Sequence, residues 1–412
     1  MKTDMKNFMK HALKQKDRSF YHLHLDKLVT NVKIWRKMFP DITPYFAVKS
    51  NPNPQILSVL ALNGCSFDCA SKGEMKMVEK LQSQFNDSPD IIFANPIKMK
   101  SHLKYSDKKG ITLMTADCVE ELVKIEKTCS QADVIMRIAV DDSMSLCKFN
   151  KKFGMYPEIT NLEKWFDKFD TLKRSNLAGV SFHVGSGCSS SNSYRTAIEE
   201  ARKCFDYAKM RGYNMKILDI GGGFINKDSL NSEVSQVVNK ALNDNFKEIN
   251  PTIIAEPGRF FVNDIADLYV KVTGKKTENG VIKYYVNNSV YGDFNSKMFD
   301  YAIFNFDIIK KKTNNFISKS ENSGLWTDSS KSKYTSKNST IFGSTCDSID
   351  VIVENVEIPE LDLGDYLKFK DMGAYTMAAS STFNGIPKPN IYYLGKDVLN
   401  LRRNVKLDVT LS

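Results

Sequence analysis

The stretch Ile217-Leu-Asp-Ile-Gly-Gly-Gly-Phe224 sets a short apolar run directly against three glycines. It reads as a buried strand ending in a turn whose backbone can approach another group closely. Alone, a run of this length is ambiguous between strand and buried helix. Its context decides. Comparable runs lie on either side: Tyr45–Lys49, Ser66–Ala70, Ile91–Asn95, Ile111–Thr115, Val134–Arg137, Val180–Val184 and Ile253–Arg259. Each suits a fully buried strand, and the segments between them are long enough for crossover helices. Eight such units in succession predict an α/β chain that opens with a (β/α)8 TIM-like barrel. In that architecture chemistry gathers where the strands end. Lys49, Asp68, Arg137, His183, the glycines, Glu256 and Arg259 are therefore expected to converge on one mouth.

At 412 residues the chain exceeds one ordinary core, so a second domain is expected. Beyond Arg259 the runs Asp267–Val272, Val281–Val286, Ser348–Val353 and Tyr366–Lys370 carry β-branched and aromatic residues between turn formers. They predict an all-β C-terminal domain. The expected organisation is an N-terminal segment 1–24 that joins the β-domain, a barrel over 25–262, and a β-sandwich or barrel-like domain over 263–412. Within the last, residues 313–338 are rich in Ser, Lys, Asn and Thr, and read as a long mobile insertion.

Composition narrows the function. A hydrophobic content of 42% and a charged content of 26% are those of an ordinary globular protein. No apolar run approaches bilayer length, so no membrane span is expected. The formal charge of +10 comes from scattered lysines without a nucleic-acid-binding motif, which argues for solvated surface over nucleic acid. The eight cysteines form no CxxC pair. Their spacing suits neither a metal site nor a disulfide framework, and points to a reducing, cytoplasmic setting.

Each candidate site residue also has a bland reading. A lysine at a strand end is usually solvated, a histidine between Phe182 and Val184 is usually a core residue, and three glycines can be only a turn. Together they say more. Glycine-rich loops after late barrel strands, with a cation beside them, suit a monophosphate. A lysine at the same mouth can form a Schiff base, a carboxylate can hold a pyridine nitrogen protonated, and a histidine can stack on the ring. That set specifies pyridoxal phosphate. No GxGxxG opens a βαβ unit, which disfavours a nicotinamide. The substrate stays open at this point.

Larger segments carry a resemblance. Pro44–Asn51, Phe67–Lys72, Phe182–Gly187, Leu218–Phe224, Ala255–Arg259, Tyr291–Asn295, Thr345–Asp347, Met372–Thr376 and Ser381–Gly385, in that order, resemble the eukaryotic ornithine decarboxylase family. The resemblance implies a pyridoxal 5'-phosphate enzyme with an alanine-racemase-like barrel. It implies decarboxylation of L-ornithine to putrescine, the entry step of polyamine synthesis, by a homodimer with active sites shared at the interface. Lys49 matches the cofactor-binding lysine, His183 the ring-stacking residue and Glu256 the partner of the pyridinium. Asp68 and Arg137 match supporting residues. Ser186, Gly221, Gly222, Gly223, Gly258, Arg259 and Tyr375 fall at phosphate-binding positions. Asp300 and Asp347 match acids for the distal ammonium, with Phe299 and Phe383 beside the substrate. Cys346 matches the proton donor from the other subunit. The lysines at 98, 100, 104, 108 and 109 lie where the family's protein inhibitor, antizyme, binds. The chain departs from the family at Phe299, where tyrosine is common, and in the 313–338 insertion. Lysine or arginine decarboxylation, or an inactive antizyme-binding homologue, are the alternative readings.

Overall fold

A computed structural model of the chain describes residues 2–15, 17–82, 88–312, 315–319 and 336–395. It divides into two compact units, one of them Asp26–Phe261 and the other combining Met1–Leu25 with Val262–Gly395.

The first unit is a closed barrel of eight parallel strands. In chain order these are Ile42–Ala47, Ser66–Cys69, Ile91–Phe93, Leu113–Ala116, Ala132–Arg137, Ser175–Ser181, Ile217–Asp219 and Thr252–Ala255. The apolar runs read from the sequence all fall on or beside these strands. The strands are buried on both faces, which is why they read as continuous apolar runs instead of alternating ones. Tyr45, Ile92, Ala94, Ile135 and Ile254 pack together in the barrel core. Outside the barrel, Phe224 leaves the triple glycine and enters an aromatic cluster with Trp35, Phe39 and Tyr194, at centroid separations of 5.0, 5.4 and 4.8 Å. The glycine turn is thus anchored at its far end by a bulky buried ring.

A small antiparallel ladder, Ser145–Cys147 against Ser186–Cys188, lies outside the barrel and had no signal in the sequence. Lys98 also differs from expectation. It does not join an exposed basic face but is buried, donating from Nζ to the Thr115 carbonyl at 2.6 Å and pairing with buried Glu121 at 3.2 Å.

The second unit is built on a mixed sheet of nine strands. The long strand Ala266–Glu278 is its spine, pairing antiparallel with Phe20–His24, Val281–Val286 and Tyr366–Phe369. Two parallel pairings interrupt the antiparallel pattern: Phe20–His24 with Asn390–Leu394, and Val281–Val286 with Ser336–Phe342. The unit is not purely β. The N-terminal helix Lys2–Ala12 buries Phe8 and Ala12 against Phe20, Tyr269, Ile309 and Tyr366. Within the stretch read as an insertion, Asn315–Lys319 forms a strand whose backbone pairs with Phe306–Lys312. Residues 313–314 and 320–335 of that stretch lie outside the described residues.

Candidate active site

Strand register builds the barrel mouth by one repeated rule. Three times a residue just past a strand end stands two positions beyond the register partner of a charged residue on the neighbouring strand. Ala47 pairs with Asp68, and Lys49 stands two residues further on. Ser181 pairs with Arg137, and His183 stands two residues further on. Ile254 pairs with Asp219, and Glu256 stands two residues further on.

The first pair is in direct contact. Lys49 lies in a tight turn, Val48–Ser50, held by the Ser50 hydroxyl donating to the Ala47 carbonyl at 2.8 Å. Its Nζ reaches Asp68 Oδ2 at 2.5 Å. The Asp68 side chain is fully buried whereas that of Lys49 is 42% accessible, so the amine remains reachable. The second oxygen of Asp68 is buried without a hydrogen-bond partner.

Glu256 and Asp219 form an acid pair. Glu256 is held by its backbone N–H donating to the Gly221 carbonyl at 2.6 Å, and Asp219 Oδ1 accepts from the Gly221 N–H at 2.9 Å. Burial pushes both carboxyls up, and the neighbouring Asp219 and Asp68 push Glu256 further. Lys49 and Arg137 oppose this for Glu256. Glu256 is the acid that keeps its proton, because the Gly221 N–H and a hydrogen bond from the Glu256 carboxyl both stabilise the Asp219 anion. Asp219 Oδ2 is buried without a hydrogen-bond partner.

His183 is a neutral imidazole. Burial first, then Arg137 and Lys49, hold its pKa well below the usual histidine range. Its Nδ1 accepts from the Gly185 N–H at 3.0 Å, which fixes the tautomer. The glycines leave room only for backbone. A Cβ on Gly222 would meet the Glu256 carbonyl at 2.7 Å and His183 Nε2 at 2.9 Å. Gly223, at φ +98°, would bring a Cβ to 2.6 Å from the Gly185 carbonyl. Gly258 packs on the lysine turn, where a Cβ would lie 3.0 Å from Ser50 Cβ. Ser186 sits in the small ladder, opposite Cys147. Arg259 opens the short helix Arg259–Val262.

The remaining candidates all belong to the second unit. Cys346 is exposed, and its loop is knotted by Asp350. That buried carboxylate accepts from the N–H of Val290 at 2.9 Å, the N–H of Thr345 at 2.9 Å and the Thr345 hydroxyl at 2.6 Å. The Cys346 N–H donates to Asn384 Oδ1 at 3.0 Å. Asp347 accepts from the Tyr291 hydroxyl and, at 3.1 Å, from the Ile349 N–H. These donors, the hydroxyl first, hold its carboxyl below the usual range, so it is ionised at neutral pH. The Tyr291 ring also packs on Phe383 at 4.4 Å. Asp300 follows the short helix Ser296–Phe299, on which Phe299 is 70% exposed. Tyr375 adopts φ 57°. Asn295 links these last two segments, since its carbonyl accepts from Phe299 and its amide donates to the Thr376 carbonyl at 2.8 Å.

Three residues lie in stretches the sequence reading quoted but were given no role of their own: Asp219, Tyr291 and Asp350. An acid inside an apolar strand could have flagged Asp219. Tyr291 and Asp350 act through contacts between distant segments, which no local pattern marks.

The barrel mouth fits pyridoxal phosphate on its own features. It offers an accessible amine, orphaned buried carboxylate oxygens, a buried acid whose proton is held by desolvation and neighbouring carboxylates, a neutral flat ring and a backbone cradle free of Cβ atoms. Comparison with known proteins agrees. Residues 25–263 match the pyridoxal-binding domain of pyridoxal-dependent decarboxylases, and residues 213–373 match the C-terminal sheet domain of the same enzymes. Ornithine decarboxylase of Mus musculus is 37% identical over 396 residues, covering 91% of this chain and 80% of that one. Antizyme inhibitor 2 of Xenopus laevis is 38% identical over 392 residues, with the same coverage of 91% and 80%. The crystal structure of Paramecium bursaria Chlorella virus arginine decarboxylase bound to agmatine superposes with a TM-score of 0.85 at 31% identity, covering 96% of this chain and 100% of that chain. The cofactor is pyridoxal 5'-phosphate.

The acid pair gives a test in the cofactor-free protein. The folded-state pKa of Glu256 lies above its ordinary value of 4.5, so the unfolded chain loses this proton first as pH rises. The stabilisation is complete below that value and is lost above it. The melting temperature of the apoprotein should therefore fall as the pH rises above 4.5 and through the raised folded-state pKa, and Glu256→Gln should flatten the fall. Parallel profiles for the two proteins would refute the assignment of the proton to Glu256.

Proposed function

The chain belongs to the pyridoxal-dependent decarboxylases, and we propose that it converts L-ornithine to putrescine and carbon dioxide. The observation that carries the substrate is Asp347, an ionised acid on the loop of an exposed thiol and suited to a distal ammonium. Asp300 would supply the second acid, with Phe299 and Phe383 lining the aliphatic chain. Diaminopimelate, whose far end is anionic in part, would call for a basic partner instead.

Bound in the barrel, pyridoxal phosphate supplies an electron sink for the pair left on the α-carbon when carbon dioxide departs. Lys49 would hold it covalently, oriented by Asp68. Glu256 would hold a proton at the ring nitrogen, an assignment supported by an acid whose anion is costly until a cation faces it. Neutral His183 would stack on the ring without adding competing charge, and Arg137 would balance the acids. Ser186, Gly221, Gly222, Gly223, Gly258, Arg259 and Tyr375 would hold the phosphate. The Cys346 thiol would deliver a proton to the α-carbon.

The active form proposed is a homodimer in which Cys346 and Asp347 serve the partner's barrel. Support comes from the company these residues keep. Phe299, Tyr301, Ile303 and Ile349 are 70%, 72%, 91% and 51% exposed in the same unit, a concentration of apolar surface that calls for cover. All eight cysteines are free thiols, as a reducing cytoplasm requires. The likeness to an antizyme inhibitor supports a secondary reading, binding of an antizyme-like protein through the exposed lysines 100, 104, 108 and 109.

Carbon dioxide release, measured with ornithine, lysine and arginine supplied separately, tests the substrate. Ornithine should be preferred over lysine by about 10- to 200-fold in kcat/KM, the usual yield of one misplaced methylene. Equal specificity constants would remove ornithine as the assigned substrate. Lys49→Ala should abolish release and remove the visible absorbance of the lysine-bound cofactor, with the fold intact. A wild-type protein that shows neither property would instead be the inactive, antizyme-binding homologue.

Mixing tests the shared site. Inactive Lys49→Ala and inactive Cys346→Ala chains, exchanged at random, give about half heterodimers, each with one intact site, so activity should recover to roughly a quarter of wild type. Heterodimers that form and remain inactive would place both residues in one subunit's site.

A further inference from the structure

The segment after the fifth barrel strand folds back over the mouth and delivers two phenyl rings to it. The buried Asp142 carboxylate clamps this strap, accepting through Oδ2 from the N–H of Phe149 at 2.5 Å and of Asn150 at 2.9 Å. The Asn150 amide donates in turn to the Val140 carbonyl. The ladder Ser145–Cys147 stitches the strap to the loop that carries His183, Gly185 and Ser186, and the Ser145 hydroxyl donates to the Val184 carbonyl at 2.5 Å. So held, the Phe149 ring meets the His183 imidazole edge-on, with centroids 4.8 Å apart and planes at 69°. Further along, the Phe153 ring lies 5.5 Å from the Arg137 guanidinium.

We propose that Phe149 is a positioning residue that fixes the plane in which His183 meets the cofactor. The inference rests on the stacking role given to His183 above. A hydrogen bond at Nδ1 alone leaves an imidazole free to rock about that bond. The Gly222 backbone beside Nε2 limits the rocking on one side, and the Phe149 ring limits it on another. An edge-to-face contact suits this task because it favours one interplanar angle, whereas aliphatic packing favours none. The Asp142 clamp matters because an unfixed phenyl ring could not hold a neighbour in place.

The experiment is visible circular dichroism of the cofactor-loaded protein, with cofactor dissociation followed by absorbance and steady-state kinetics run alongside. The dichroism of the bound chromophore reports how asymmetrically the protein surrounds it. Phe149→Ala should diminish that band, weaken cofactor affinity by about two- to tenfold, and lower kcat more than it raises KM. Phe149→Tyr, which keeps the ring, should restore all three, and Phe149→Leu should not. Asp142→Ala, which removes the acceptor of both N–H bonds, gives an independent route if Phe149→Ala fails to fold, and should shift the band in the same direction. An unchanged band and affinity in Phe149→Ala or in Asp142→Ala would overturn the proposal, as would full restoration by leucine. The outcomes separate from those of the substrate assignment. A band that moves in a protein inactive on ornithine leaves the positioning role standing, and an unmoved band in an active one removes it.

Discussion

Three carboxylates are buried together at the barrel mouth, and Lys49 and Arg137 are the cations that act most strongly on Glu256 among them. Asp68, Asp219 and Glu256 are each almost fully enclosed, with Lys49 and Arg137 as the compensating charges. Burying an unpaired carboxylate costs several kcal/mol, so the excess acid must take a proton or meet another cation. The cofactor-free protein resolves the conflict by protonating Glu256. In the proposed holoenzyme a pyridinium would resolve it more fully, since it would bring a further positive charge to Glu256. The same burial that raises the cost of the Glu256 anion would then favour a cationic ring beside it.

That arrangement needs little more than strand register. Lys49 with Asp68, His183 with Arg137, and Glu256 with Asp219 repeat one construction on three strand pairs. The first member always stands two residues past the register partner of the second. Shifting any of these pairings by one residue would turn a charged group into the barrel wall. The apolar residues that fix the register thus fix the chemistry as well. The glycines act in the complementary sense, because at Gly222 and Gly223 a side chain would occupy space already filled by carbonyl oxygens.

This coupling explains what the sequence made legible. Buried parallel strands leave continuous apolar runs, and the residues that end them are the ones that matter. The barrel and its mouth could therefore be read together from Lys49 to Arg259. What escaped reading depends on pairings between distant segments. In Asn315–Lys319 only Phe316 and Ile317 are apolar, too short a run in a polar stretch to mark a strand, and the segment pairs through its backbone with Phe306–Lys312. The helix Lys2–Ala12 looks like a solvated lysine tract until Phe8 and Ala12 are seen beneath Tyr269 and Tyr366. Asp350 shows only as one acid among many, although it knots Thr345 to Val290 and so shapes the loop of Cys346. Phe149 belongs to the same class, since its partner His183 lies on the next barrel strand's loop.

The two units solve opposite problems. The barrel encloses its charges and must compensate them. The second unit leaves Cys346 and several aromatic and aliphatic side chains in water. In that setting an ionised Asp347 would hold a substrate ammonium weakly, because solvent screens an exposed pair to about 1 kcal/mol or less. Excluding water would strengthen the same pair and, in the proposed reaction, would let the thiol deliver its proton without competition from bulk donors. In the proposed dimer the exposed apolar surface would supply the means, since covering side chains as open as Tyr301 and Ile303 would remove much apolar area from water. Association and catalysis would then draw on one act of desolvation.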